Sequence, residues 1–166
     1  EAAIGTIETS KLEKVVLARA VDIEFPEAID PRLVAARLID LSANRDGFIA
    51  DLSPAGRPGA MLVGSSPEVL VKRQGSTVSA FPLAGSSPRR ASAAEDHLAG
   101  QDLLHSSKDL HEHAFVVDHL RRALTPLCER LDIPDVPQLI STNEMWHLGT
   151  PISGTLKDKD LTALEL

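Results

Sequence analysis

"EVLVKRQGSTVSAFPL", residues 68–83, decides the fold. Two runs rich in β-branched and apolar residues flank Gly75-Ser76, a pair suited to a tight reversal. The stretch therefore reads as an antiparallel pair, with strands over 68–74 and 77–83. Upstream, "FIADL" (48–52) and "AMLVG" (60–64) read as two more strands, and "EKVVLARAVDIEF" (13–25), bounded by Pro26, as another. Between them "DPRLVAARLIDLSA" (30–43) is a helix: Asp30 caps it, Pro31 fits its first turn, and Val34, Leu38 and Leu41 recur at helical spacing. Downstream, 94–106 and 108–131 carry helical patterns, "PQLIST" (137–142) and "MWHLGTPISGTL" (145–156) are extended, and Asp160 is placed to start a helix with Leu161, Leu164 and Leu166. Strands joined by short reversals and followed by a long helix predict an α+β fold with mainly antiparallel sheet.

The 166 residues suffice for a domain with a real core, and no repeat, low-complexity tract or linker interrupts them. A net charge of -7 argues against binding nucleic-acid phosphates or anionic membranes, and 3% aromatics against base stacking. One cysteine, Cys128, excludes an internal disulfide and any zinc site built on several thiolates. No apolar run reaches the roughly 18 residues of a membrane span. A reducing cytoplasm is the expected setting. The chain opens on Glu1 and closes within a helical pattern, as expected of the central portion of a longer domain.

The polar residues that break these patterns are the candidate sites. In "SSKDLHEHAFVVDHLRR" (106–122), His113 falls inside the apolar arc of the helix, with Glu112 on its flank and His111 on the far side. Consecutive helical residues diverge, so His111, Glu112 and His113 cannot share one ion. The zinc-helix pattern fails because Phe115, not histidine, stands four after His111. His113 reads as a packed, hydrogen-bonded histidine, and Glu112 as a solvated glutamate beside it or as a carboxylate at a cleft edge. Glu68 follows a Gly-Ser-Ser-Pro turn and shares a strand face with Leu70, a setting for a partly desolvated general acid or for an edge carboxylate in water. Lys14 alternates with Val16 and Ala18, as a base against apolar partners or as a lysine reaching to water. "FPLAGSSPRR" (81–90) contains Ala-Gly-Ser-Ser-Pro, read as a sharp loop whose amides and serines, with Arg89 and Arg90 nearby, suit an anionic oxygen, or as a plain exposed turn; it lacks the P-loop spacing. His147 lies between Trp146 and Leu148 in a strand, and no G-x-S-x-G nucleophile motif is present.

Taken in order, "KVVLAR", "GSSPEVL", "PLAGSSPRR", "SSKDLHEH", "PQLIST" and "WHLGTPISG" resemble the chorismate-utilising enzymes over nearly the whole chain. Lys14 and the "KDLHEH" and "WHLGTP" wording are most similar to the isochorismate synthase branch. The resemblance implies large antiparallel sheets flanked by helices, with a site between them that isomerises chorismate. Water adds at C2, the C4 hydroxyl leaves and the double bonds shift. It implies Lys14 as the base that activates water, Glu68 as the acid that protonates the departing hydroxyl, and Glu112 as a ligand of Mg²⁺. It also implies that Gly85 and Ser86 form the substrate loop and that His147 lines the pocket.

The family is longer on both sides, so a second metal carboxylate and basic substrate ligands are expected beyond residue 166. The intact protein is expected to be a monomer, with no nucleic-acid or membrane partner. Two other readings follow from the same residues. One is a salicylate synthase that goes on to eliminate pyruvate, and the other is a non-catalytic binding module. The resemblance implies isochorismate made for menaquinone, siderophore or salicylate production, and the residues do not distinguish the three.

Overall fold

The protein is described from a computed structural model that covers residues 2–12, 14–42 and 44–166. Its elements run α1 (Ala2–Thr9), α2 (Pro31–Leu41), β1 (Gly47–Asp51), β2 (Met61–Ser65), β3 (Val69–Gln74), β4 (Thr77–Phe81), β5 (Leu83–Pro88), α3 (Ala93–His105), α4 (Ser107–Leu124), β6 (Cys128–Asp132), β7 (Gln138–Ser141), β8 (Met145–Gly149) and β9 (Ile152–Leu156). The sheets are β1-β2, β3-β4-β9-β6 and β5-β8-β7, and every ladder is antiparallel. This is the α+β arrangement expected from the hairpin. That hairpin turns at Gly75, whose φ of 61° lies in the left-handed region, with Gln74 paired to Thr77.

Two prolines organise the sheets. β4 and β5 are one run of chain cut at Pro82, and β8 and β9 are another cut at Pro151. Each was expected as a single strand (77–83 and 145–156). A proline gives no N–H to a ladder, so the pairing breaks there and the chain crosses from one sheet to the next. The core lies against the four-stranded sheet, where Val78, Ala80, Ile152, Leu156 and Cys128 pack with Leu124 at the end of α4. Over the three-stranded sheet, α3 and α4 pack on β5 and β8. Gly100 of α3 lets the helix approach closely, since a Cβ there would come within 2.8 Å of Leu139 on β7.

Several expectations are corrected. Residues 14–25 form no strand; Glu13 lies outside the described residues. Val16, Leu17, Val21 and Ile23 are exposed there, and the segment has β composition without a ladder neighbour among the described residues. "PLAGSSPRR" is not a loop: β5 occupies 83–88. The long helix ends at Leu124 rather than 131, because Pro126 follows and residues 128–132 join the sheet as β6. No helix starts at Asp160. A single turn forms instead, in which Glu165 accepts from the Thr162 N–H and hydroxyl. The α2 helix stands as expected, with Asp30 accepting from the Arg32 N–H at 2.9 Å; Ala43 lies outside the described residues.

Two buried polar connections tie the layers together. His113 is 3% exposed, with Nδ1 3.1 Å from the Ala84 carbonyl and Nε2 2.7 Å from the Thr150 hydroxyl. A carbonyl only accepts, so Nδ1 carries the proton. Burial pushes the imidazole pKa down, so the ring is neutral, and Nε2 accepts from the Thr150 hydroxyl. The packed, hydrogen-bonded histidine expected from the helical arc is what the structure contains. The second connection is a clamp. Arg89 Nε and Nη2 donate to Asp96 at 2.6–2.9 Å, Nη1 donates to the Thr142 carbonyl, and the guanidinium lies 4.4 Å from the Trp146 ring centre. Asp96 also accepts from the Arg90 N–H and from Trp146 Nε1. These hydrogen bonds, Arg89 first, hold its carboxyl well below the usual range, at about 2.

Replacing His113 with alanine orphans the Ala84 carbonyl and the Thr150 hydroxyl. We expect a loss of about 1–3 kcal/mol for each buried group left without a partner, seen as a lower urea midpoint; an unchanged midpoint would mean that the bridge contributes nothing to stability. For Asp96 the folded carboxyl titrates below the unfolded one. Its contribution is complete above the unfolded value of about 4 and is lost as pH falls toward about 2. Asp96→Asn should flatten that part of the acid-unfolding curve, and a variant curve parallel to wild type would refute the assignment.

Candidate active site

β5 loses register with β8 after Leu83 and regains it at Ser86: Leu83 faces Gly149, and Ser86 faces His147, so one extra residue bulges from β5. Gly85 lies in the bulge at φ 80°, a conformation other residues adopt only under strain. A Cβ on it would meet Asp109 at 3.0 Å and Leu148 at 3.2 Å, so α4 rests directly on this backbone.

The expected site residues gather around these positions. Glu68 reaches the start of β5, where its Oε1 accepts from the Leu83 N–H at 3.1 Å. Ala84 supplies the carbonyl that binds His113, next to Glu112 on α4. The Ser86 hydroxyl lies 2.7 Å from His147 Nδ1. Burial pushes the His147 pKa down, against the pull of nearby Glu68. The expectation of a desolvated Glu68 does not hold, since Glu68 is exposed and so is Leu70. Its position is fixed by the backbone hydrogen bond rather than by an apolar wall.

Lys14 turns its ammonium to a carboxylate rather than to open water. Its ammonium lies 3.5 Å from Glu112 Oε1, and the Lys108 ammonium lies 3.7 Å from Oε2. Lys108 and Glu112 are one helical turn apart, and their i,i+4 spacing is the sequence signal that points to Lys108 as a further site residue. Asp109, the residue against Gly85, is another that the motifs do not single out. It closes the first turn of α4 through Ser106, whose hydroxyl accepts from the Asp109 N–H and donates to its carboxylate. Ser-x-x-Asp is a capping signal that marks it. Ser86 lines a groove of about 460 Å³ with Arg90, Ser106 and Asp109. His147 lines a cleft of about 590 Å³ with Pro67, Phe81 and Leu38. Both lie in the size range of small-molecule sites. Arg89, expected near a bound anion, is instead engaged inside the clamp.

As a metal position, Glu112 offers one carboxylate. No group of three or more His, Cys, Asp or Glu side chains able to hold an ion occurs among the described residues. Magnesium takes few carboxylates and fills its shell with water and substrate oxygens, so the donor chemistry of Glu112 fits one ligand of such an ion. No helix among the described residues is long and apolar enough to cross a membrane.

The chain is similar to known proteins. The chain is 42% identical over its full length to isochorismate synthase DhbC of Bacillus subtilis, covering 42% of that protein. It is 38% identical to isochorismate synthase EntC of Escherichia coli K12 over 92% of this chain and 38% of that protein. It thus spans about two fifths of the length of these curated relatives. The structure of MenF, the menaquinone-specific isochorismate synthase of E. coli, shares the fold, with a TM-score of 0.61 at 21% identity over 76% of this chain and 28% of MenF. The profile of the family described as chorismate binding enzyme matches residues 1–166, and the chain belongs to that family.

Proposed function

We propose that this chain carries the acid, the base and one metal carboxylate of a site that converts chorismate to isochorismate. The observation that carries the reading is the convergence of Glu68, Ser86, His147 and the Glu112 helix on four consecutive residues of β5, Leu83 to Ser86. Support also comes from the isochorismate synthases among its relatives.

The reaction is an isomerisation, with one water entering and one leaving. Lys14, once it has given up its proton and its hold on Glu112, takes a proton from the water that attacks C2. The ring double bonds shift, and the C4–O bond breaks. Glu68, as the acid, gives its proton to the departing hydroxyl, which leaves as water. Proton exchange with solvent restores both groups. Ser86 and neutral His147 form a hydrogen-bonding wall that orients the ring and its substituents. Glu112 is the residue that would hold Mg²⁺, which when bound offsets the carboxylate charge of the substrate.

Two substitutions in the full-length protein test these roles. Glu68→Gln keeps the shape but offers no acidic proton, so substrate should still bind while turnover falls about 10²–10⁴-fold. Near wild-type turnover would take Glu68 out of the mechanism. Lys14→Ala should abolish turnover without unfolding, and Lys14→Arg should not restore it, because a guanidinium keeps its proton. An active arginine variant would rule out proton abstraction at this position. Chromatographic separation of isochorismate from chorismate is the assay for both.

A further inference from the structure

The register of β5 against β8 after the bulge decides whether Ser86 meets His147 at all. Side chains alternate along a strand, so a slip of one residue would turn Ser86 to the opposite face of the sheet. The ladder itself guards poorly against that slip. It resumes with only Ser86–His147, Ser87–Trp146 and Pro88–Met145, and Pro88 has no N–H to give.

Immediately beyond lies the clamp. The Arg89 N–H donates to the Glu144 carbonyl at 2.8 Å. Its guanidinium forks onto Asp96 of α3, reaches the Thr142 carbonyl in the turn before β8, and stacks on Trp146. Asp96, 8% exposed, takes Trp146 Nε1 and the Arg90 N–H on the same carboxylate oxygen. One buried carboxylate thus binds the end of β5 and the residue next to His147. The fork fixes the end of β5 to Asp96 of α3, and Trp146 Nε1 ties the same carboxylate to β8; a planar guanidinium matches a carboxylate in few orientations, so the two strands are constrained through one group.

We propose that Arg89, Asp96 and Trp146 are positioning residues for the Ser86–His147 pair: they lock the register in which β5 rejoins β8, and thereby set the imidazole's orientation in the site. None of the three belongs to the Ser86–His147 contact, so their effect passes through the strands. The inference rests on the proposed function only for its catalytic consequence; the register lock stands on geometry alone.

The test observes His147 directly. In the full-length protein, ring-nitrogen NMR signals of ¹⁵N-labelled histidine, assigned by their loss in His147→Gln, report the Nδ1 hydrogen bond. Arg89→Lys keeps the charge but loses the fork, and Asp96→Asn keeps the shape but loses the charge. Both should shift or split the His147 signals. Val78→Ala, in the core of the other sheet, serves as a control that loses stability without touching the clamp, and should leave them in place. Should either clamp variant fail to fold, Trp146→Phe keeps a ring under Arg89 while removing the Nε1 donor, and should move the same signals. Unchanged His147 signals in the folded clamp variants, or an equal change in Val78→Ala, would overturn the proposal. If the wild-type protein turns over chorismate, kcat in the clamp variants should fall by about 10²-fold, the scale of a misplacement near 1 Å, and an unchanged kcat would also overturn it. A wild-type protein inactive on chorismate would refute the proposed function, while the NMR signals would still decide whether the clamp sets the register.

Discussion

One extra residue in β5 is the constraint on which the rest of this structure depends. Where the ladder to β8 lapses between Leu83 and Ser86, the Ala84 carbonyl becomes free to bind a side chain, next to an edge N–H that no strand pairs. The Leu83 N–H takes Glu68, the Ala84 carbonyl takes His113, and Gly85 admits α4 to van der Waals distance. A regular strand would have turned the Ala84 carbonyl into the ladder and held the helix further off, whereas the Leu83 N–H lies at the free edge of β5. Local loss of β structure is thus what brings the helix against the strand beside the Ser86–His147 pair, a recurring role for bulges near functional sites.

Much of the fold was legible because its signals are local. The Gly75 reversal, the Asp30 cap with Pro31 behind it, and the helical arc around His113 each state their own structure. What could not be read was set by neighbours. Residues 14–25 have strand composition, but a strand is a relation between two segments, and composition supplies only one. The run through Cys128 kept apolar spacing compatible with a helix, and Pro126 was the punctuation that outweighed it. The Ala-Gly-Ser-Ser-Pro stretch has the composition of a turn. It pairs as a strand because Gly85 absorbs the bulge, leaving Ser86 and Ser87 free to resume the ladder.

The site was legible in a different way. Each residue taken alone was ambiguous, and the wording of the motifs in sequence order carried the family. Their spatial relation was hidden. Nothing in the spacing says that Glu68 would bind the strand 15 residues later, or that Ser86 and His147, 61 residues apart, would stand opposite in register. Arg89 shows the converse: a residue whose charge suggested a ligand is engaged within the protein, because a nearby buried carboxylate needs a partner more than solvent does.

The site is held unequally on its two sides. Glu68, Ser86 and His147 are fixed by hydrogen bonds to a strand whose register the neighbouring clamp supports. Lys14 lies at the head of a segment with no ladder among the described residues, and its side chain is tied by the 3.5 Å ion pair to a Glu112 side chain that is 36% exposed. Partly exposed ion pairs contribute about 0–1 kcal/mol, too little to order a dozen residues, each of which costs about 1–2 kcal/mol of backbone entropy to fix. A ladder neighbour for 14–25 would supply what the ion pair does not, since its amides would be paired and its exposed valines and isoleucine covered. The distance between the proposed base and acid is therefore governed from the Lys14 side. The acid's carboxylate is held by the Leu83 N–H of β5, and pairing of the segment that begins at Lys14 is the step that would complete the geometry.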